Sequence, residues 1–280
     1  MTNPNFQMDT RESDSARKVG EFILSEAKQR ATPLIAKWES HPRPASGSWL
    51  SQVDQLTSYK PFSYQLRDFM NVSLDSIRML IKYVDTTNEI PMLAHYALIR
   101  SAVEATSYGI WMLNAGTKQK QAWLSLRLSY ENNEDIEGME KVFATVDLAP
   151  PNRDDVRARL VTLQQQLSDY RNHDISKTPT TTDVVAQADR FMNGKRMVMT
   201  GLQTWKACSG TTHANGDVIS ALLERVPTGH EDALGLTFRL TSRMTLTAGF
   251  LLVAVENAEE LLRLFEEAGK PMTTQMKGKR

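Results

Sequence analysis

The sequence predicts an all-α protein, one bundle of about seven to nine helices. Three observations predict it. Long stretches carry apolar residues three and four apart. No stretch of strand length alternates apolar and polar residues between turn signals. The breaks between the apolar stretches are cap and turn sequences such as Asn114-Ala115-Gly116 and Asn193-Gly194.

Taken in order, a helix starts near Ser13, with Val19, Phe22, Ile23, Ala27, Leu34, Ile35 and Trp38 on one face and Pro33 as a kink or restart. His41 to Ser48 reads as a loop. A second helix covers Phe62–Val84, with Leu66, Met70, Ile77, Leu80 and Val84 in register. A third runs over Ile90–Asn114 with Pro91 in its first turn. A fourth covers Lys118–Val146, and a fifth Arg153–Ile175. Short helices follow at Thr182–Phe191, Met197–Ala214 and Val218–Glu224, then a loop over Pro227–Gly235 and a last long helix over Leu236–Ala268.

In domain terms, residues 1–11 are expected to be disordered and 12–270 to form a single helical domain. Ala149-Pro150-Pro151-Asn152 is a candidate break between sub-lobes, and 271–280 a flexible basic tail.

Composition excludes several classes. The 280 residues carry 33 Lys plus Arg and 33 Asp plus Glu, so no basic excess exists to neutralise the phosphates of a long nucleic acid. A short RNA in a local pocket stays open. The single cysteine, Cys208, forbids an intrachain disulfide and suits a reducing, cytoplasmic setting. Met1 to Arg11 lacks the basic-then-apolar run of a signal peptide. Of the two most apolar stretches, Ile90–Leu113 is interrupted by His95, Arg100 and Glu104. Met244–Val255 is too short for a bilayer of about 30 Å, so no membrane partner is expected.

Absent motifs narrow the field further. There is no glycine-rich phosphate loop, no His-Glu-x-x-His, no Cys-x-x-Cys and no Gly-x-Ser-x-Gly. Histidines 41, 95, 173, 213 and 230 show no ligand spacing, so neither a metal nor a cofactor is expected. Cys208 reads as a small core residue. Arg171-Asn172-His173 reads as a solvated cap.

Two segments carry candidate chemistry. Arg100 and Glu104 stand four apart in a helix that is apolar nearly all round. They are either an intrahelical ion pair or an anion clamp with its orienting carboxylate. Lys206, Ser209 and His213, three and four apart, line one face of a later helix, with Trp205, Cys208 and Thr212 on the adjacent stripe, which is better suited to the core. Histidine exchanges protons near neutral pH, and a nearby cation holds an anion. Gly210, about 1 kcal/mol worse than alanine in mid-helix, calls for close packing or a ligand. If the two segments meet inside the bundle, the five side chains form one buried polar site.

Arg100-x-x-x-Glu104, followed by Trp205-Lys206-x-x-Ser209-x-x-x-His213, resembles a set of uncharacterised bacterial all-helical proteins related to the HEPN (higher eukaryotes and prokaryotes nucleotide-binding) fold. The helix order from about Phe62 to Ala268 and the loop at Thr178–Asp183 are similar too. The resemblance implies a HEPN-like core. In active members it implies a metal-independent ribonuclease, often dimeric, built on an arginine followed by a histidine. Here six residues separate Lys206 from His213, lysine replaces the arginine, and Ala207 stands where a polar residue is usual.

Three functions remain in play. One is a helical interaction or regulatory protein of a bacterial defence or stress system, with a homodimer or another protein as partner. A second is a metal-independent ribonuclease or degenerate relative. There His213 and Lys206 would be catalytic, and Arg100, Glu104 and Ser209 would bind a short RNA. The third is a small-anion pocket between helices.

Overall fold

The chain's structure is a computed structural model, and it describes residues 9–41, 43–142, 153–196, 198–232 and 235–271. The expected break at Ala149–Asn152, most of the expected disordered N-terminus and most of the expected flexible tail lie outside these residues. Within them are ten helices and one two-stranded sheet, an all-α architecture. In order they are α1 (Asp14–Glu39), α2 (Trp49–Leu56), α3 (Phe62–Thr87), α4 (Ala94–Leu113), α5 (Lys118–Val142), α6 (Arg153–Gln165), α7 (Thr181–Phe191), α8 (Gly201–Thr212) and α9 (Gly216–Leu222). The hairpin β1 (Leu223–Asp232) and β2 (Gly235–Ser242) follows, then α10 (Met244–Gly269).

The core forms around α10. Every residue from Thr247 to Ala258 is buried, the pattern of a helix surrounded on all sides. It packs on α1, α4 and α3. Its buried Glu256 lies 3.8 Å from Arg30 Nη1, and Glu260 accepts from Lys195 Nζ at 2.8 Å. Glu12, from before α1, accepts from the Met244 and Thr245 backbone N–H groups at 2.8 and 3.0 Å and so caps α10 from far away in sequence. Gly20 lets α1 cross this end, since a Cβ there would stand 2.7 Å from Thr245 N.

Several expectations are corrected. α1 continues through Pro33 as one helix, so it does not restart there; Ala27, Ala31, Leu34 and Trp38 bury both halves along one stripe, and Val19 and Phe22 are exposed instead. α2, at eight residues, is too short to show an apolar period, so it was not expected. α4 begins at Ala94, with Pro91 ahead of it. Ser242 Oγ donates to the carbonyls of Pro91 and Met92 and holds this segment out of the helix. α6 ends at Gln165, since Gln164 Nε2 donates to the carbonyls of Tyr170 and His173 and folds the chain into turns.

The largest correction is the hairpin, where a loop and the start of a helix were expected. β1 pairs antiparallel with β2, with an irregularity between Pro227 and Glu231. Leu236, Phe238 and Leu240 alternate with Thr237, Arg239 and Thr241, a short period-two signal in the sequence itself. β1 contains Glu224, Arg225, Pro227 and Gly229 and carries no such signal.

Candidate functional site

The two segments singled out in the sequence do come together, through different residues of α8 than expected. Asn114 ends α4, and Thr200 opens α8 with a capping box to Gln203. α8 packs on α4 with Trp205, Cys208 and Thr212 on the contacting stripe. Trp205 Nε1 donates to Glu104 Oε2 at 2.8 Å. The Arg100 guanidinium lies over the Trp205 ring, 5.6 Å from its centroid, and Nη1 donates to Thr212 Oγ1 at 3.3 Å. Arg100 Nε stands 3.6 Å from Glu104 Oε2, an ion pair too long for a good hydrogen bond. That Nε is enclosed and has no hydrogen-bond acceptor.

Lys206, Ser209 and His213 do not join this group. Lys206 and His213 are exposed and Ser209 is half-buried. No side-chain hydrogen bond or ion pair links any of the three to Arg100 or Glu104 among the described residues. His213 is the C-cap of α8, its backbone N–H bonded to the Ser209 carbonyl. The expected five-residue buried site is therefore not formed. The buried face of α8 is Gly201, Thr204, Cys208 and Thr211; Trp205 and Thr212 stand at its edge, beside α4, and Lys206 and His213 lie on the side away from the core.

Arg100 and Glu104 instead line a cleft of about 410 Å³. Phe69, Val72 and Leu128 supply apolar wall, with Tyr108 and Thr212 completing the rim. Phe69 and Tyr108 stack at 5.8 Å. Burial raises the Tyr108 phenol above its usual pKa, a long hydrogen bond to Thr181 acts the other way, and Glu131 and Glu104 add to the rise. Tyr108 follows Arg100 and Glu104 at the same spacing of four. That was the readable signal for this wall; Phe69 and Leu128 had none.

Cys208 is fully buried, and burial pushes its thiol well up, against the opposing charge of Arg100. It stays protonated and acts as core. His173 packs its ring near Tyr170 and Trp123 at 5.2 and 5.8 Å, in the turns after α6. Gly210 meets close packing: a Cβ there would stand 2.7 Å from Val218 Cγ1 and 2.8 Å from Cγ2. Valine is stiff, so Gly210→Ala is expected to cost about 1–3 kcal/mol despite the better helix propensity of alanine, read as a lower urea midpoint. An unchanged or raised midpoint would show that α9 shifts freely.

No group of three or more His, Cys, Asp or Glu among the described residues is placed to hold a metal ion. No described helix is long and apolar enough to cross a membrane.

Comparison with family models, curated proteins and solved structures finds no match. The site therefore speaks through its own chemistry.

Proposed function

We propose that the protein is a helical binding module whose cleft at Arg100 takes a small carboxylate with an apolar, ring-bearing body. One observation carries this reading. Arg100 is held from one side by Glu104 and the Trp205 face, yet its best hydrogen bond is a 3.3 Å contact to Thr212 and its Nε has no acceptor. The Nε is enclosed, but the side chain is 28% exposed and only a long contact engages Nη1, so the guanidinium end has donor capacity for an incoming anion. Glu104 offsets its charge, which favours a monoanion over a phosphate dianion. Phe69, Val72, Leu128 and Tyr108 match an apolar body rather than a polymer backbone.

The test is calorimetric titration with aryl and alkyl carboxylates such as 2-naphthoate. Wild type is expected to bind saturably. Arg100→Gln is expected to weaken binding by about 10- to 100-fold, the usual worth of a charge-assisted hydrogen bond. Lys206→Gln and His213→Ala are expected to bind like wild type. Equal binding in Arg100→Gln would end the proposal.

The HEPN-like core and the ribonuclease belong to a second reading. Its support is that Arg100, Glu104 and Trp205, three of the residues carrying the resemblance, meet in one contact group, while Lys206 and His213 stand exposed to any substrate. Cleavage of a mixed RNA pool in EDTA by wild type, lost in His213→Ala, would replace the binding proposal with this one. A regulatory role with a protein partner or a second copy is compatible with the cleft as its ligand-sensing element.

A further inference from the structure

A second concave surface carries two arginines that no carboxylate pairs among the described residues. It is a groove of about 600 Å³ where the loop at Arg43–Pro44, the end of α2 and the first turns of α3 meet. Arg43, Lys60 and Arg67 line it. The Arg67 guanidinium is fixed over the Trp38 ring, 4.8 Å from its centroid. Its Nη1 is enclosed without an acceptor. Neither Arg67 nor Arg43 has a hydrogen bond or ion pair among the described residues.

The two carboxylates of the groove offset part of this charge but pair with neither arginine. Asp54 spends both oxygens on α3, accepting from Ser63 N at 2.8 Å and Ser63 Oγ at 2.7 Å. Asp68 is largely exposed, with Oδ2 4.0 Å from Lys60 Nζ. Asn71 lines the groove as well; its Oδ1 accepts from Trp38 Nε1 at 2.8 Å, which orients its amide donors.

We propose that this groove binds the phosphate group of a small organic phosphomonoester. Two guanidiniums without an ion pair and an amide offer donors to a dianion with three free oxygens, and the Lys60 ammonium, 4.0 Å from Asp68, lies beside them. A carboxylate, with two oxygens and one charge, would leave part of the set unused. Tyr64, exposed on the groove wall beside Pro44 and Pro61, supplies a ring and apolar surface for the organic part. Trp38 holds the Arg67 fork in place, so less side-chain freedom is lost on binding. This site is independent of the Arg100 cleft.

The experiment is titration of phenyl phosphate into the full chain at about 0.15 M salt, where exposed charges are largely screened beyond roughly 8 Å. Saturable binding is expected, weakened about tenfold or more by Arg43→Gln and by Arg67→Lys, which keeps the charge but loses the fork. Benzoate is expected to bind this groove more weakly than phenyl phosphate, measured in Arg100→Gln so that the other cleft does not contribute. Thermal melts without ligand check that each variant is folded. If Arg67→Lys is not, the exposed Arg43→Gln decides alone. No saturable binding by wild type, unchanged affinity in Arg43→Gln, loss of phenyl phosphate binding in Arg100→Gln, or equal affinity for benzoate would each overturn the proposal.

Discussion

Replacing Asp189 with alanine is expected to lower the unfolding free energy by about 3–5 kcal/mol, the range for breaking one side of a buried ion pair. Asp189 closes α7 onto α8. Oδ1 accepts from Gly201 N at 2.8 Å and from Arg196 Nη2 at 2.7 Å, and Oδ2 accepts from Leu202 N at 2.7 Å. The same Arg196 nitrogen donates to Asn257 Oδ1 on α10 at 2.7 Å. The Arg196 side chain is only 8% exposed, so the loss of Asp189 strands a nearly buried cation. It also opens two backbone donors at the start of α8. Gly201 fits the arrangement: a Cβ there would stand 2.9 Å from both Arg196 Nη2 and Asp189 Oδ1. Urea unfolding of Asp189→Ala measures the cost, and Asp189→Asn, which keeps acceptor capacity but not charge, is expected to fall between. A loss below about 1 kcal/mol would place the pair in the weak class of solvated bridges. Because α8 carries Trp205 and Thr212, Asp189→Ala is also expected to weaken ligand binding at the Arg100 cleft.

Acidification is expected to remove about 3 kcal/mol through His95 alone. His95 is fully buried, and its Nε2 is 3.1 Å from Thr247 Oγ1. Burial holds its pKa down to about 4, against 6.5 for the unperturbed side chain. The folded state thus keeps a neutral imidazole while the unfolded chain takes up a proton. The contribution is whole above pH 6.5, shrinks as pH falls, and is gone near pH 4. Paired carboxylates lose stability over part of the same range. Burial raises Glu260, for example, but hydrogen bonds from Arg263 and Lys195 leave it below its usual value. The pH dependence of His95→Gln, subtracted from that of wild type, isolates the histidine. A difference that stays flat between pH 7 and pH 4 would mean that His95 titrates normally and is reached by water.

The long helices were legible in the sequence because their apolar period runs over many turns. Phe62–Val84 and the body of α10 are two such cases. The hairpin was not, since β1 puts charged residues, Pro227 and Gly229 into a strand that pairs with β2. Candidate residues followed the same division. The spacing of Arg100, Glu104 and Tyr108 put them on one helix face, which is local information. The rotation of α8 puts Gly201, Thr204, Cys208 and Thr211 inside, which leaves Trp205 and Thr212 at the edge beside α4 and Lys206 and His213 outside.

By itself, the sequence determined the helical class, the neutral charge balance, and the placing of Arg100 and Glu104 on a single face. Each follows from composition or from spacing within one helix. Only the tertiary structure decided that Trp205 and Thr212 meet them, that Lys206 and His213 turn to solvent, and that Arg43, Lys60 and Arg67 share a groove. Those outcomes depend on which surfaces exclude water between segments far apart in the chain. No period along a single helix encodes that comparison of burial energies.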